Sequence, residues 1–146
     1  MTNFDLLHAV QPDSGWFAVV GIKEGAPIKQ VLVATREELD ATAAKFVAQG
    51  RNAFFGVAKY TTNENRTKDN VEGLKSFWLD IDCGESKARI NEKTGRPDGY
   101  LTQQEGILAL QSFCRVIGLP KPIVVNSGRG LHVYWALTGT VLRTEW

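Results

Sequence analysis

The chain has 146 residues, 43% of them hydrophobic, and 17 Lys and Arg against 16 Asp and Glu, for a formal net charge of +1. That length and apolar content suit one folded domain with a real core and exclude a disordered chain. A near-neutral balance excludes a uniformly basic nucleic-acid binder, while leaving room for a local basic groove. No apolar stretch approaches the roughly 18 residues of a membrane span, and Met1-Thr2-Asn3-Phe4-Asp5 has no basic segment leading into an apolar one. The expectation is a cytoplasmic protein with no membrane partner. Cys83 and Cys114 are the only cysteines. They lack zinc-knuckle spacing, and no local pattern groups them with His8 or His132, so they read as ordinary reduced thiols.

In chain order, residues 1–14 read as an irregular lead-in ending near Pro12 and Ser14. Trp16–Ile22 and Ile28–Ala34 read as two strands of a hairpin about the turn Gly25–Pro27. Thr35 and Glu38 match a capping box opening a helix to about Ala48, with Gly50 just beyond its end. Leu39, Ala43, Phe46 and Val47 form its apolar stripe. Ala53–Tyr60 is a third strand. The polar run 61–73 reads as a connector, or as a mobile loop whose Arg66 and Lys68 reach a phosphate. A strand follows at 76–82, then a short charged helix over Glu85–Thr94 and a turn at Arg96-Pro97-Asp98-Gly99. Thr102 and Glu105 open a second capped helix to Ile117, with Ile107, Leu110, Phe113, Cys114 and Ile117 facing the core. Ile123-Val124-Val125 and residues 131–137 read as the last strands, broken by Thr138-Gly139-Thr140. The order suggests an α/β (α+β) domain with antiparallel hairpins. Leu142-Arg143-Thr144-Glu145-Trp146 reads as the opening of a further element, so the expectation is the front part of a longer protein, incomplete at its C-terminus.

Two stretches carry chemistry. In Phe77-Trp78-Leu79-Asp80-Ile81-Asp82, strand alternation puts Trp78, Asp80 and Asp82 on one face and Phe77, Leu79 and Ile81 on the other. Adjacent carboxylates repel, and a strand gains nothing from that. A hard divalent cation, Mg²⁺ or Mn²⁺, would relieve the repulsion and give the pair a use in phosphoryl chemistry. The plainer reading is two acids ending a strand before Gly84. In Asn126-Ser127-Gly128-Arg129-Gly130-Leu131-His132, the glycines permit close backbone approach, successive N–H groups suit a phosphate, and Ser127 and Arg129 add a hydroxyl and a cation. His132 then alternates onto the polar face, as a donor to phosphate rather than a general base.

Together these stretches resemble the archaeo-eukaryotic primase superfamily, especially the primase-polymerases of phages and plasmids. The family's Asp-h-Asp motif is similar to Asp80-Ile81-Asp82. Its Ser-Gly-x-Gly-x-His-x-Tyr-Trp motif is similar to Ser127-Gly128-Arg129-Gly130-Leu131-His132-Val133-Tyr134-Trp135. The likeness spans about residues 50–137. It implies an RRM-like mixed sheet from residue 51 to 146, with residues 1–50 in an accessory α/β part. It also implies that Asp80 and Asp82 bind Mg²⁺ or Mn²⁺, and that Ser127, Gly128, Arg129, His132 and Arg66 contact an incoming nucleoside triphosphate. Arg66 matches no motif residue. The implied activity is template-directed primer synthesis or DNA polymerisation on single-stranded DNA, in a host cytoplasm, beside a replicative helicase domain or protein. Lys59, Arg66, Lys68 and Lys75 are candidates for a local basic surface toward the template. The family's third acidic motif, on a later strand, has no counterpart in this order of residues. Two other readings stay open: a replication module that binds nucleotide or DNA with an incomplete metal centre, and an Asp-x-Asp metal-dependent glycosyltransferase, whose chemistry does not require the Ser127–His132 motif.

Overall fold

The computed structural model describes residues 3–145. Four helices occur among them: α1 (Asn3–Val10), α2 (Arg36–Ala48), α3 (Glu85–Ala88) and α4 (Gln103–Ile117). Six strands form one sheet: β1 (Trp16–Ile22), β2 (Lys29–Val33), β3 (Asn52–Tyr60), β4 (Val71–Asp82), β7 (Ile123–Asn126) and β8 (Gly130–Leu142), hydrogen-bonded in the order β2-β1-β3-β4-β8-β7. Two short strands, β5 (Ile90–Asn91) and β6 (Arg96–Pro97), make a separate hairpin. The fold is α+β, and the sheet is antiparallel where a mixed sheet is expected. Among the described residues, the parallel pairing found is one bridge, Cys83 with Tyr100.

The chain divides into two compact units: one runs through Ser76 and resumes at Leu137, and the other is Phe77–Ala136. In the first unit β1 is buried on both faces. Phe17 and Val19 pack with Leu7, Val33, Leu39 and Phe46 on one side, while Ala18 packs with Ala58, Tyr60 and Leu74 on the other. The capping box of α2 is complete: Thr35 accepts from the Glu38 N–H at 3.1 Å, and Glu38 accepts from the Thr35 N–H at 3.3 Å. Val47, expected in its stripe, is exposed.

The expected irregular lead-in is instead the helix α1. Eight residues hold a helix poorly alone, and tertiary contacts supply what propensity does not. Leu6, Leu7 and Val10 are buried, and the chain after them wraps the side chain of Arg36. Its guanidinium donates to the Gln11 and Pro12 carbonyls at 3.2 and 2.8 Å and lies 5.7 Å from the Phe17 ring centre. Asp13 accepts from Lys75 at 2.9 Å and lies 3.7 Å from Arg36.

In the second unit Ile81, Leu110, Cys114, Leu131 and Val133 form the core under α4. Cys114 is a core residue as its place on the helix stripe suggests, and neither cysteine is in a disulfide. Phe113 and Ile117, expected in the same stripe, are largely exposed. The charged helix expected over Glu85–Thr94 stops at Ala88 and gives way to the β5–β6 hairpin. β8 continues through Thr138-Gly139-Thr140, where a break is expected. Its β-branched threonines suit a strand, and Gly73 of β4 lies so close that a Cβ there would stand 2.8 Å from the Val141 carbonyl oxygen.

Two outcomes follow from this packing. Phe46→Ala removes a buried ring from the first core and should lower unfolding stability by about 3–5 kcal/mol, read from the urea midpoint. The hydrogen bond from Lys75, with its charge, holds the Asp13 carboxyl below its ordinary 3.8. A carboxylate depressed in the folded state adds stability that is full above its unfolded pKa and is lost as pH falls through the folded value. Asp13→Asn should therefore flatten the acid limb of stability against pH below about pH 4 and leave the profile's shape above it unchanged.

Candidate functional site

The second unit carries the Asp-x-Asp and Ser-Gly-Arg-Gly stretches together. β7 and β8 form a hairpin in which Asn126 pairs with Leu131 and Val125 with His132. Its tip, Ser127–Gly130, is closed by the Ser127 N–H donating to the Gly130 carbonyl at 3.1 Å. The Asn126 side chain accepts from the Gly128 N–H at 2.8 Å, an Asx-type turn that holds Gly128 at φ +88. Gln103, at the start of α4, donates to Asn126 Oδ1 at 2.9 Å.

Gly130 is required by a close approach. A Cβ there would run into the carbonyl oxygen of Ile81 on β4. The contact is extended by the Cys83 N–H, which donates to the Arg129 carbonyl at 3.0 Å. This pairing brings His132 Nε2 within 3.8 Å of Asp80 Oδ1. Asp80 is exposed and His132 half-buried, so the pair opens to solvent. Tyr134, two residues along β8, is buried. Burial first, and the negative charge of Asp80 second, push its hydroxyl above the ordinary range.

Asp82 has a different partner. Lys87 Nζ donates to its Oδ2 at 2.7 Å. That hydrogen bond and the charge of Asp82 hold the Lys87 ammonium above its ordinary value, with smaller contributions from Asp98 and Asp80. The surrounding backbone is fixed. Tyr100 N–H donates to the Asp82 carbonyl at 3.0 Å, and the N–H groups of Asp98 and Gly99 both donate to the Lys87 carbonyl. A cleft of about 320 Å³ beside them is lined by Asp80, Asp82, Asp98, Tyr100, Leu110 and Phe113, among others.

The expected phosphate cradle is reached only in part. The backbone N–H groups of Ser127 and Gly128 are spent inside the turn, and Gly130 serves strand approach rather than ligand approach. The side chains remain available. Among the described residues, the Arg129 guanidinium has no carboxylate in ion-pair distance and the Ser127 hydroxyl no hydrogen bond. Arg129 and Gly128 line an open cleft of about 470 Å³ with Cys83, Gly84, Gln103 and Asn126. Arg66 belongs to the other unit, where its Nε donates to Gln30 Oε1 at 3.3 Å. Of the basic residues considered for a template surface, Lys59 is paired with Glu72 at 2.7 Å and Lys75 with Asp13.

For a metal ion, Asp80 and Asp82 offer carboxylate oxygens, the donor type hard cations prefer. Among the described residues no group of three or more His, Cys, Asp or Glu side chains stands ready to hold an ion. Mg²⁺ is commonly held by one or two carboxylates, with water and substrate phosphates filling its other positions. The two aspartates fit that pattern once Asp82 is released by Lys87.

Lys87 and Gln103 left no mark in the sequence as neighbours of the two motifs, whereas Asn126 and Tyr134 lie within the second stretch. Asn126 carries a further signal, since Asn followed two residues later by Gly favours a side-chain-capped turn. Comparisons with protein-family models, with curated proteins and with solved structures find no match to this chain.

The Gly130 contact gives a direct test. Gly130→Ala should destabilise the protein by about 1–3 kcal/mol, as overpacking against backbone does. Gly139→Ala on the same strand, where a Cβ meets nothing, should stay within about 0.5 kcal/mol of the parent protein.

Proposed function

We propose that this chain carries the nucleotide-binding and metal-binding face of a primase-polymerase of the archaeo-eukaryotic type, acting in metal-dependent nucleotidyl transfer on single-stranded DNA. The observation that carries the reading is the meeting of Asp80 and His132 across neighbouring strands, beside a hairpin tip whose Arg129 and Ser127 side chains have no partner among the described residues. Acid, imidazole, hydroxyl and guanidinium together match what a nucleoside triphosphate with its cation requires. Asp80 and Asp82 would hold Mg²⁺ or Mn²⁺. Bound there, the ion would polarise the triphosphate and favour ionisation of an attacking 3′-hydroxyl. His132 stands beside Asp80, its Nε2 3.8 Å from Oδ1, and would donate to a phosphate oxygen. Arg129 and Ser127 supply charge-assisted and neutral hydrogen bonds to the same group. Single-stranded DNA as template and a helicase as companion belong to this reading through the resemblance of the two motifs.

A second reading, a replication module that binds nucleotide without incorporating it, is favoured by the ion pair that already neutralises Asp82. The two readings part in one assay. With Mn²⁺ and single-stranded DNA, the first expects incorporation of labelled nucleotides that is abolished by Asp80→Asn and by Asp82→Asn. Nucleotide binding without incorporation by the folded chain supports the module; neither binding nor incorporation overturns both. Under either reading Arg129→Ala should weaken nucleotide binding about 10- to 100-fold, the loss of one charge-assisted hydrogen bond.

A further inference from the structure

We propose that Lys87 is a built-in counter-ion that competes with a divalent cation for Asp82 and so sets the metal affinity of the two-aspartate site. The inference rests on the metal-binding reading above and adds a residue to it. Lys87 Nζ lies 2.7 Å from Asp82 Oδ2, so one oxygen of the carboxylate is already committed to a positive charge. An ion reaching that oxygen would have to displace the ammonium, since two cations on one side of a carboxylate repel each other.

The local backbone makes such an exchange a side-chain event. Residues 84–88 form a single turn in which the Lys87 and Ala88 N–H groups donate to the Gly84 carbonyl. The Lys87 carbonyl is tied to the Asp98 and Gly99 N–H groups, and the Asp82 carbonyl to Tyr100. Both main-chain positions are held while the side chains stand about half exposed, at 43% for Lys87 and 44% for Asp82. The lysine stem has four carbons and freely rotating donors, so the ammonium can swing out without moving the strand. Asp98 lies in its field and lines the same cleft. Its carboxylate accepts from Asn91 Nδ2 at 3.1 and 3.0 Å, a neutral partner that brings no counter-charge. The released ammonium therefore has a second carboxylate to turn to. Without a cation, the same ion pair relieves the repulsion between Asp80 and Asp82 and keeps Asp82 in place.

The test is Mn²⁺ titration of the full chain in the absence of nucleotide, with free Mn²⁺ followed by its paramagnetic resonance signal. Lys87→Met should bind Mn²⁺ about two- to fivefold more tightly than the parent chain, and Lys87→Arg should restore the parent value. The gain should vanish in Lys87→Met/Asp82→Asn. Unchanged or weaker Mn²⁺ binding in a folded Lys87→Met protein, with parent affinity still dependent on Asp82, overturns the role of Lys87 and leaves the metal site standing. Mn²⁺ binding that ignores both Asp80→Asn and Asp82→Asn, or is absent in every variant, overturns the metal reading along with it.

Discussion

The contact of Gly130 with the Ile81 carbonyl is the constraint on which the candidate site depends. It lets β8 come against β4 where a side chain would hold them apart, as Gly73 does further along the same pair of strands. From that contact the alternation of a strand does the rest. Two residues on from Gly130 comes His132, and one residue back from Ile81 comes Asp80, so imidazole and carboxylate emerge side by side. The opposite faces of the same strands send Ile81, Leu131 and Val133 into the core under α4. One backbone approach thus fixes the buried side and the chemical side together. The Arg129 carbonyl, tied to the Cys83 N–H, carries the same pairing into the hairpin tip.

Electrostatics divide the two aspartates that the sequence presents as equivalent. Asp80 faces an imidazole across the ladder and remains open to solvent, whereas Asp82 is held by an ammonium from the turn that follows its strand. The pair of like charges on one strand face is tolerated because Asp80 is open to water and Asp82 has a counter-ion. The neighbours of the two acids lie at different distances in sequence: Lys87 five positions after Asp82, and His132 far down the chain.

How much of this was legible follows from the range of the forces involved. The β1–β2 hairpin, α2 with its capping box, α4 and the strand character of 77–82 were readable because periodicity and caps act over a few residues. The helix α1 was not, since its stability comes from the packing of Leu6, Leu7 and Val10 and from the chain that wraps Arg36. The persistence of β8 past Gly139 was hidden for a similar reason: it answers to β4, a partner distant in sequence. At the site, the motif residues Asp80, Asp82, Ser127, Arg129 and His132 could be named in advance. The two glycines of the second motif suit a ligand as far as sequence goes, and only the fold shows that the Gly128 N–H closes onto Asn126 while Gly130 makes room for a strand. Lys87 left no mark because a lysine five residues from an aspartate has no fixed geometry until the turn between them is known.

The residues just before Asp80 have a consequence for the molecule in solution. β3 registers with β4 only from Val71 to Leu74, and beyond that Phe77, Trp78 and Leu79 stand 58%, 55% and 39% exposed. Three large apolar side chains in a row on a strand are a template for edge-to-edge association. Proteins that carry such a row usually rely on charge to stay apart, and this chain, with an isoelectric point near 7.8, has almost none at neutral pH. Its colloidal behaviour should therefore be governed by distance from that pH: dispersed in mildly acidic buffer where the lysines and arginines prevail, and prone to self-association close to neutrality.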